Sequence, residues 1–211
     1  MAIKNIIFDL GNVIVGVDSS RTEHGLSKLG IQRAAEIFTV QQQNELCDRF
    51  ECGLVTPEEF IQALSEYSEQ EVVDPTAIQS AWESMILESD PDRLTLLQAL
   101  RERYNVYLLS NTNQIHYDHL NTKFRQLYGI ACLDELFDKA YYSFRVGLRK
   151  PTREIFMHVL TDEQLEPTET LFIDDLAKNI QTADQLHIQT LHATDMDETW
   201  EQIAKLYIDS K

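Results

Sequence analysis

Long hydrophobic runs, cysteine and positive charge are all scarce in this chain of 211 residues. No apolar stretch approaches the ~20 residues that span a bilayer. The first residues run straight into a strand-like segment, with no signal-peptide pattern. Three cysteines, Cys47, Cys52 and Cys132, form no C-x-x-C pair and no metal-ligand spacing. An odd, scattered set of thiols suits a reducing compartment. A cytoplasmic protein outside the membrane is therefore expected. Lysine and arginine number 18 against 35 acids, a formal net charge of −17. Such a field repels nucleic acid and anionic lipid surfaces, so neither is expected as a partner. It repels phosphate as well, so an anion site must be made locally positive by a metal ion, a lysine or a helix N-terminus. Internal repeats and low-complexity tracts are also missing.

What is present is an ordinary globular composition, 43% hydrophobic and 25% charged. The length allows one good core, or one core with a smaller inserted module.

The chain is organised around Lys4-Asn5-Ile6-Ile7-Phe8-Asp9-Leu10-Gly11-Asn12-Val13. Ile6, Ile7 and Phe8 make the short apolar run of a doubly buried parallel strand. The run ends in an acid. In an open α/β sheet the ligand crevice lies beyond the carboxyl ends of the strands, so Asp9 would stand at its mouth. A strand-ending Asp that merely caps its turn is the alternative. Leu171-Phe172-Ile173-Asp174-Asp175 repeats the design with two acids. Adjacent carboxylates raise each other's pKa unless a cation lies between them. With Asp9 they offer the hard oxygen ligands that suit Mg²⁺ better than zinc. One Asp could cap the helix that follows; two exceed what a cap requires.

Residues 19–88 read as helical throughout. Thr56-Pro57-Glu58-Glu59 is a capping box with proline at the first helical position, and Phe60, Ile61, Leu64 and Tyr67 then recur at helical spacing. Ile78, Trp82, Met85 and Ile86 do the same, and Leu46 and Phe50 mark another helix. These stripes are expected to form the core of the module. Arg21 and His24 are expected at its surface rather than on a substrate, and Arg49 is open between the two roles. Two glycines, Gly11 and Gly16, lie close together where the chain enters it, a segment able to bend as a hinge.

After a helix from Asp90-Pro91, residues 105–109 form a second buried strand ending in Ser110-Asn111-Thr112-Asn113. Hydroxyls and amides there can donate to phosphate oxygens; a helix cap by Asn113 is the alternative. His116 and His119 share a helix face, but nothing nearby completes a zinc set. A third strand at 140–143 leads into a loop with three cations, Arg145, Arg149 and Lys150, the last before Pro151. A last strand is expected at 188–192 and a closing amphipathic helix carries Trp200, Ile203, Leu206 and Tyr207. The strand–helix alternation implies an α/β, mostly parallel sheet flanked by helices.

Asp9-Leu10-Gly11-Asn12-Val13, Ser110-Asn111-Thr112, Lys150-Pro151 and Asp174-Asp175 with Asn179 stand in the order of the four motifs of the haloacid dehalogenase-like (HAD) superfamily, which the chain resembles from residue 3 to about residue 192. The Leu-Gly-Asn form of the first motif is most similar to the branch with bacterial α-D-glucose-1-phosphate phosphatase. The resemblance implies a Rossmann-like core, residues 1–16 and 89–211, with an inserted helical cap domain, residues 17–88. It implies Asp9 as nucleophile and Ser110 as phosphate-binding hydroxyl, with Asn111 beside it. It selects Lys150 over Arg145 and Arg149 as the cation that neutralises phosphate. Mg²⁺ would be held by Asp9, the Gly11 carbonyl, Asp175 and, directly or through water, Asp174, with Asn179 bonded to an acid or to a metal-bound water.

The implied activity is Mg²⁺-dependent hydrolysis of a small phosphorylated molecule through an aspartyl phosphate. Gly11 departs from the pattern, because most family phosphatases carry there an Asp that acts as general acid and base. Such help is worth ~10²–10⁴-fold. A leaving oxygen more acidic than a plain alcohol, as in a sugar 1-phosphate, needs it less. Two alternatives stand beside this reading: a dehalogenase, which would not call for Asp174-Asp175, and a catalytically idle phosphate-binding or regulatory protein, which Gly11 favours. Oligomeric state is not legible in the sequence.

Overall fold

β1 (Asn5–Phe8) is buried along its whole length and holds the centre of a five-stranded, all-parallel sheet. The computed structural model describes residues 2–31 and 45–209, with side chains through residue 206. The expectation for Tyr207 and the part of the helical module at residues 32–44 therefore lie outside the described residues. The strand order is β3-β2-β1-β4-β5, with β2 (Asn105–Ser110), β3 (Lys139–Tyr142), β4 (Thr170–Asp174) and β5 (Gln189–His192). Because β2 and β4 flank β1, the order reverses at β1, and the crevice beyond its carboxyl end is where such sheets bind ligands.

Ten helices are described. Four belong to the segment between β1 and β2: α1 (Ser19–Lys28), α2 (Glu45–Glu51), α3 (Pro57–Ser65) and α4 (Pro75–Glu83). The others are α5 (Pro91–Leu100), α6 (Gln114–Tyr128), the single turn α7 (Ser143–Val146), α8 (Arg153–Asp162), α9 (Ala177–Gln185) and α10 (Met196–Asp209). Three prolines start helices. Pro57, Pro75 and Pro91 stand in the first turns of α3, α4 and α5, behind the side-chain caps Thr56, Asp74 and Asp90, where a missing N–H costs nothing. The capping box of Thr56 and Glu59 forms in both directions.

The apolar residues separate into three cores. One face of the sheet packs Ile6, Phe8, Val106, Leu108 and Ile173 against α5, α6 and α10. There Trp200 stacks on Phe8 and its Nε1 donates to the Val13 carbonyl at 2.7 Å. The other face packs Ile7, Tyr107, Leu109 and Phe172 against α8 and α9. The third core belongs to the helical cap: Leu26, Phe50, Phe60, Leu64, Ile78 and Trp82, joined by Ile115 from α6.

The chain crosses between sheet and cap on two strands that touch. Asp18 N donates to Met85 O, and Leu87 N to Gly16 O, both at 2.9 Å. Gly16, expected at a sharp bend, is thus one side of an antiparallel contact. The segment after β3, expected as a loop, begins with α7, which Gly147 closes in the left-handed conformation at φ 74°. Among the described residues no helix is long and apolar enough to cross a membrane.

Candidate active site

Strand register brings the acids together. Phe8 pairs with Ile173, so Asp9 and Asp174 follow side by side on adjacent parallel strands. Asp9 N donates to Ile173 O at 2.8 Å, which fixes the first residue past β1. Asp175 is one step further. One oxygen from each of Asp9, Asp174 and Asp175 lies within 4.8 Å of the others.

Lys150 enters this cluster from the loop before α8, across a cis peptide to Pro151. It is 1% exposed, and its Nζ donates at 2.6 Å both to Asp9 Oδ1 and to Asp174 Oδ2. Its backbone is clamped by the Asn111 side chain. Lys150 N donates to Asn111 Oδ1, and Asn111 Nδ2 donates to Lys150 O, each at 2.8 Å. The Asn111 amide therefore aims the lysine. Asp174 is fully buried and its oxygens are engaged by Lys150, by Leu176 N at 2.8 Å and by Asn179 Nδ2 at 2.9 and 3.0 Å. Asp175 is half-buried and accepts from Asn12 Nδ2 at 3.1 Å. Asn12 itself sits in the left-handed conformation at φ 54°, and its Oδ1 accepts from Val17 N at 3.0 Å. The two neighbouring acids thus differ: Asp174 is spent on fixing Lys150, and Asp175 is tethered from across the site by Asn12.

The charges are unequal to the acids. Burial pushes the Asp9 carboxyl up to about 7; Lys150 opposes this, and Asp174 and Asp175 add to it. Asp175 is also raised, by burial first, against the Asn12 hydrogen bond. Burial alone would lower the Lys150 ammonium, but Asp174 and Asp9 outweigh it and hold it above the usual lysine range. Among the described residues one buried ammonium, bonded to Asp9 and Asp174, stands against a cluster of three carboxylates, an arrangement that a divalent cation would complete. Asn179 gives independent support. Its Oδ1 is buried with no partner among the described residues and its side chain lines the cavity, an acceptor where a water on such a cation could donate. The donor set, all hard oxygens, fits Mg²⁺.

The cluster opens into a cavity of about 180 Å³ between sheet and cap. Asp9, Gly11, Asn12, Ser110, Asn111, Lys150, Asp175 and Asn179 line its floor. Val17, Trp82, Met85, Glu51 and Arg149 line the cap side. Ser110 ends β2 and is buried. Thr112 N donates to Ser143 Oγ, which holds the turn beyond Ser110. Asn113 caps α6 by accepting from His116 N at 3.0 Å. At Gly11 a Cβ would lie 3.3 Å from Val17 Cγ2, so even the first atom of a side chain there presses on the wall.

The histidines part ways. His116 is buried, stacks on Trp82 and lines the cavity. Both its ring nitrogens are engaged, Nδ1 with Asn113 Nδ2 at 3.1 Å and Nε2 with the Trp82 carbonyl at 3.0 Å. Because Nδ1 faces a donor, the proton sits on Nε2. Burial pulls its pKa down to about 4, so the ring is neutral. His119 instead pairs with Glu83 of the cap. Of the other loop cations, Arg145 lies over the Tyr117 ring, whereas Arg149 reaches the cap and pairs with Asp48 and with Glu51, the latter at 2.9 Å. Arg21 pairs locally with Asp18, and His24 and Arg49 are exposed.

Sequence reasoning passed over Asn12 and Glu51. Asn12 had a signal, since asparagine is one of the few residues that tolerates the left-handed turn. Glu51 had none, because its place depends on a partner nearly a hundred residues away.

A buried strand-end carboxylate at the reversal point of a parallel sheet, beside a fixed ammonium and under a helical cap, defines a hydrolase-type centre. The family model of haloacid dehalogenase-like hydrolases matches residues 3–187, and the chain belongs to that family. A D-ribitol-5-phosphate phosphatase of Bacteroides thetaiotaomicron is 34% identical over 188 residues, covering 89% of this chain and 90% of the relative. The crystal structure of a HAD-family enzyme from the same organism, an aspartate-to-alanine mutant with magnesium and inorganic phosphate, superposes with a TM-score of 0.85 at 35% identity, over 90% of this chain and 93% of that one. The L-2-haloacid dehalogenase of Xanthobacter autotrophicus, 18% identical with a TM-score of 0.59 over 90% and 77%, shares the fold alone.

Proposed function

We propose that the protein is a Mg²⁺-dependent phosphatase of small phosphomonoesters that works through an aspartyl phosphate on Asp9. The observation that carries this reading is the buried Asp9 carboxylate, bonded to Lys150 and within metal-sharing distance of Asp174 and Asp175. Asp9 Oδ attacks phosphorus and the ester P–O bond breaks. Lys150 and Ser110 hold phosphate oxygens, and Asn111 acts through its clamp on Lys150. Asp9, the Gly11 carbonyl and Asp175 would hold the metal, with Asp174 engaged through Lys150 and Asn179. Held there, the ion would supply positive charge that lets the Asp9 carboxylate approach a phosphate. The departing alkoxide takes its proton from water, because Gly11 offers none. Water then attacks phosphorus and frees Asp9.

We take residues 17–88 to be the cap that closes over the substrate, and 1–16 with 89–211 to be the core. The sparse, odd set of cysteines, Cys47, Cys52 and Cys132, accords with a cytoplasmic setting. The substrate class we favour is a sugar or sugar-alcohol phosphate. The Bacteroides relative's name supports the second. Gly11 favours a leaving oxygen of low pKa, as in a sugar 1-phosphate. Phosphate release from both kinds of ester, with Mg²⁺ and beside Asp9→Asn, is the test. Equal rates on the two remove the argument from Gly11. No release from any ester, by a protein that still binds Mg²⁺ and phosphate, replaces the enzyme with a phosphate-binding protein. Turnover that survives EDTA rejects the metal.

A further inference from the structure

Lys178 stands where helix electrostatics would not put a lysine. It is the second residue of α9, whose first turn has no side-chain cap and no acid. The N-terminus of a helix carries partial positive charge, so an ammonium there weakens the helix instead of supporting it. The residues after it are spent on the fold. Asn179 turns inward to donate to both oxygens of Asp174, and Ile180 and Ala183 are buried in the core below. Lys178 is turned outward instead. Its side chain is exposed and lines the same cavity as Asp9, Ser110 and Asp175. Among the described residues no carboxylate pairs with it. Lys150, by contrast, is bonded on the cavity floor to Asp9 and Asp174.

We infer that Lys178 is a substrate-binding residue, whose ammonium pairs with the phosphate dianion at the mouth of the cavity. This rests on the phosphatase reading and adds to it the group that admits phosphate to an acid-rich site. With a formal net charge of −17 the chain repels a dianion at long range. Lys150 cannot answer that repulsion from outside, because it is buried and already shared by two carboxylates. An exposed ammonium on a flexible stem meets the phosphate while it is still hydrated and follows it inward. Solvent screens such a contact, so it acts on capture and affinity and not on the chemical step.

The test is Lys178→Gln, read in turnover of a pentitol 5-phosphate and in calorimetric titration with inorganic phosphate, both with Mg²⁺. KM and the dissociation constant for phosphate should each rise about fivefold, while kcat changes by less than about twofold. The gap in kcat/KM between Lys178→Gln and wild type should close as NaCl is raised from ~20 mM to ~500 mM, because screening removes what the lysine supplies. Lys178→Arg keeps the charge and should restore both affinities. Lys205→Gln on α10 makes the same change in net charge away from the cavity lining and should behave as wild type. Unchanged KM and phosphate affinity in Lys178→Gln, a gap that salt does not close, or an equal effect of Lys205→Gln overturns the assignment while the phosphatase stands. A loss in kcat alone overturns it too, since that would put the lysine at the reacting oxygen. A wild type that hydrolyses no phosphomonoester removes the phosphatase, yet phosphate binding weakened by Lys178→Gln would still support the lysine's role. A wild type that also binds no phosphate overturns both.

Discussion

Lys150→Met removes the charge at the heart of the site and little else. Methionine nearly matches the buried volume, so the packing change is small. The ammonium it replaces lies 2.6 Å from each of two buried carboxylates. Taking away one partner of such a pair costs ~3–5 kcal/mol. In a chain of this size each kcal/mol moves Tm by ~2–4 °C, so a fall on the order of 10 °C is expected for the metal-free protein above neutral pH. The carboxylates can relieve the loss by binding a proton. Asp9, at about 7 with the lysine present, rises further without it. The deficit should therefore shrink as pH is lowered toward 5. Calorimetry in EDTA at pH 5, 6.5 and 8 reads this directly, and turnover should fall by ~10²–10³-fold or more in parallel. A variant as stable as wild type at pH 8, or a deficit that does not vary with pH, refutes the neutralising role of Lys150.

The remaining expectations concern the acid at the strand end, its neighbours and the seat of the cap. Because the native Asp9 pKa lies above the ordinary carboxylate value, the native state holds a proton that the unfolded chain has released between about 4 and about 7. The Asp9 contribution to metal-free stability should thus be fully present below that window and lost as pH rises through about 7, and Mg²⁺ should stabilise more at pH 8 than at pH 5; the difference between wild type and Asp9→Asn in denaturant titration checks the sign. Asn12→Ala and Asn12→Gly both lose the tether to Asp175 and should weaken Mg²⁺ binding by ~10–100-fold in calorimetric titration. Only the alanine also bears the left-handed backbone, a further ~1–2 kcal/mol of stability. Gly53, at φ 67°, brings the cap against the core so closely that an added Cβ would meet Phe144 O at 2.2 Å. Gly53→Ala should therefore unseat the cap, raising KM and lowering Tm by several degrees, which steady-state kinetics and thermal melts would read.

The strand ends were legible because each is an apolar run stopped by a polar residue. Ile6-Ile7-Phe8-Asp9 and Leu171-Phe172-Ile173-Asp174-Asp175 became β1 and β4 with their acids at the crevice. Lys150 and Ser110 needed the order of the four motifs as well, since a basic loop and a capping serine look alike in isolation. What stayed hidden were contacts whose partners are far apart in sequence and share no periodicity. Nothing local says that Asn111 clasps the Lys150 backbone, that Asp174 serves the lysine while Asp175 is left to the cavity, or that Arg149 turns away from the floor to hold α2. His116 lies on an unremarkable helical turn, and only the docking of Trp82 from the cap makes it a buried, neutral wall.

The covalent step is the most direct test. In a single turnover with a ³²P-labelled phosphomonoester and Mg²⁺, quenched in acid before phosphate release is complete, the label should appear on the peptide carrying Asp9. It should disappear on a longer chase and be missing from Asp9→Asn. Phosphate released at the full rate with no label on that peptide at any time, or by Asp9→Asn as fast as by wild type, contradicts the account.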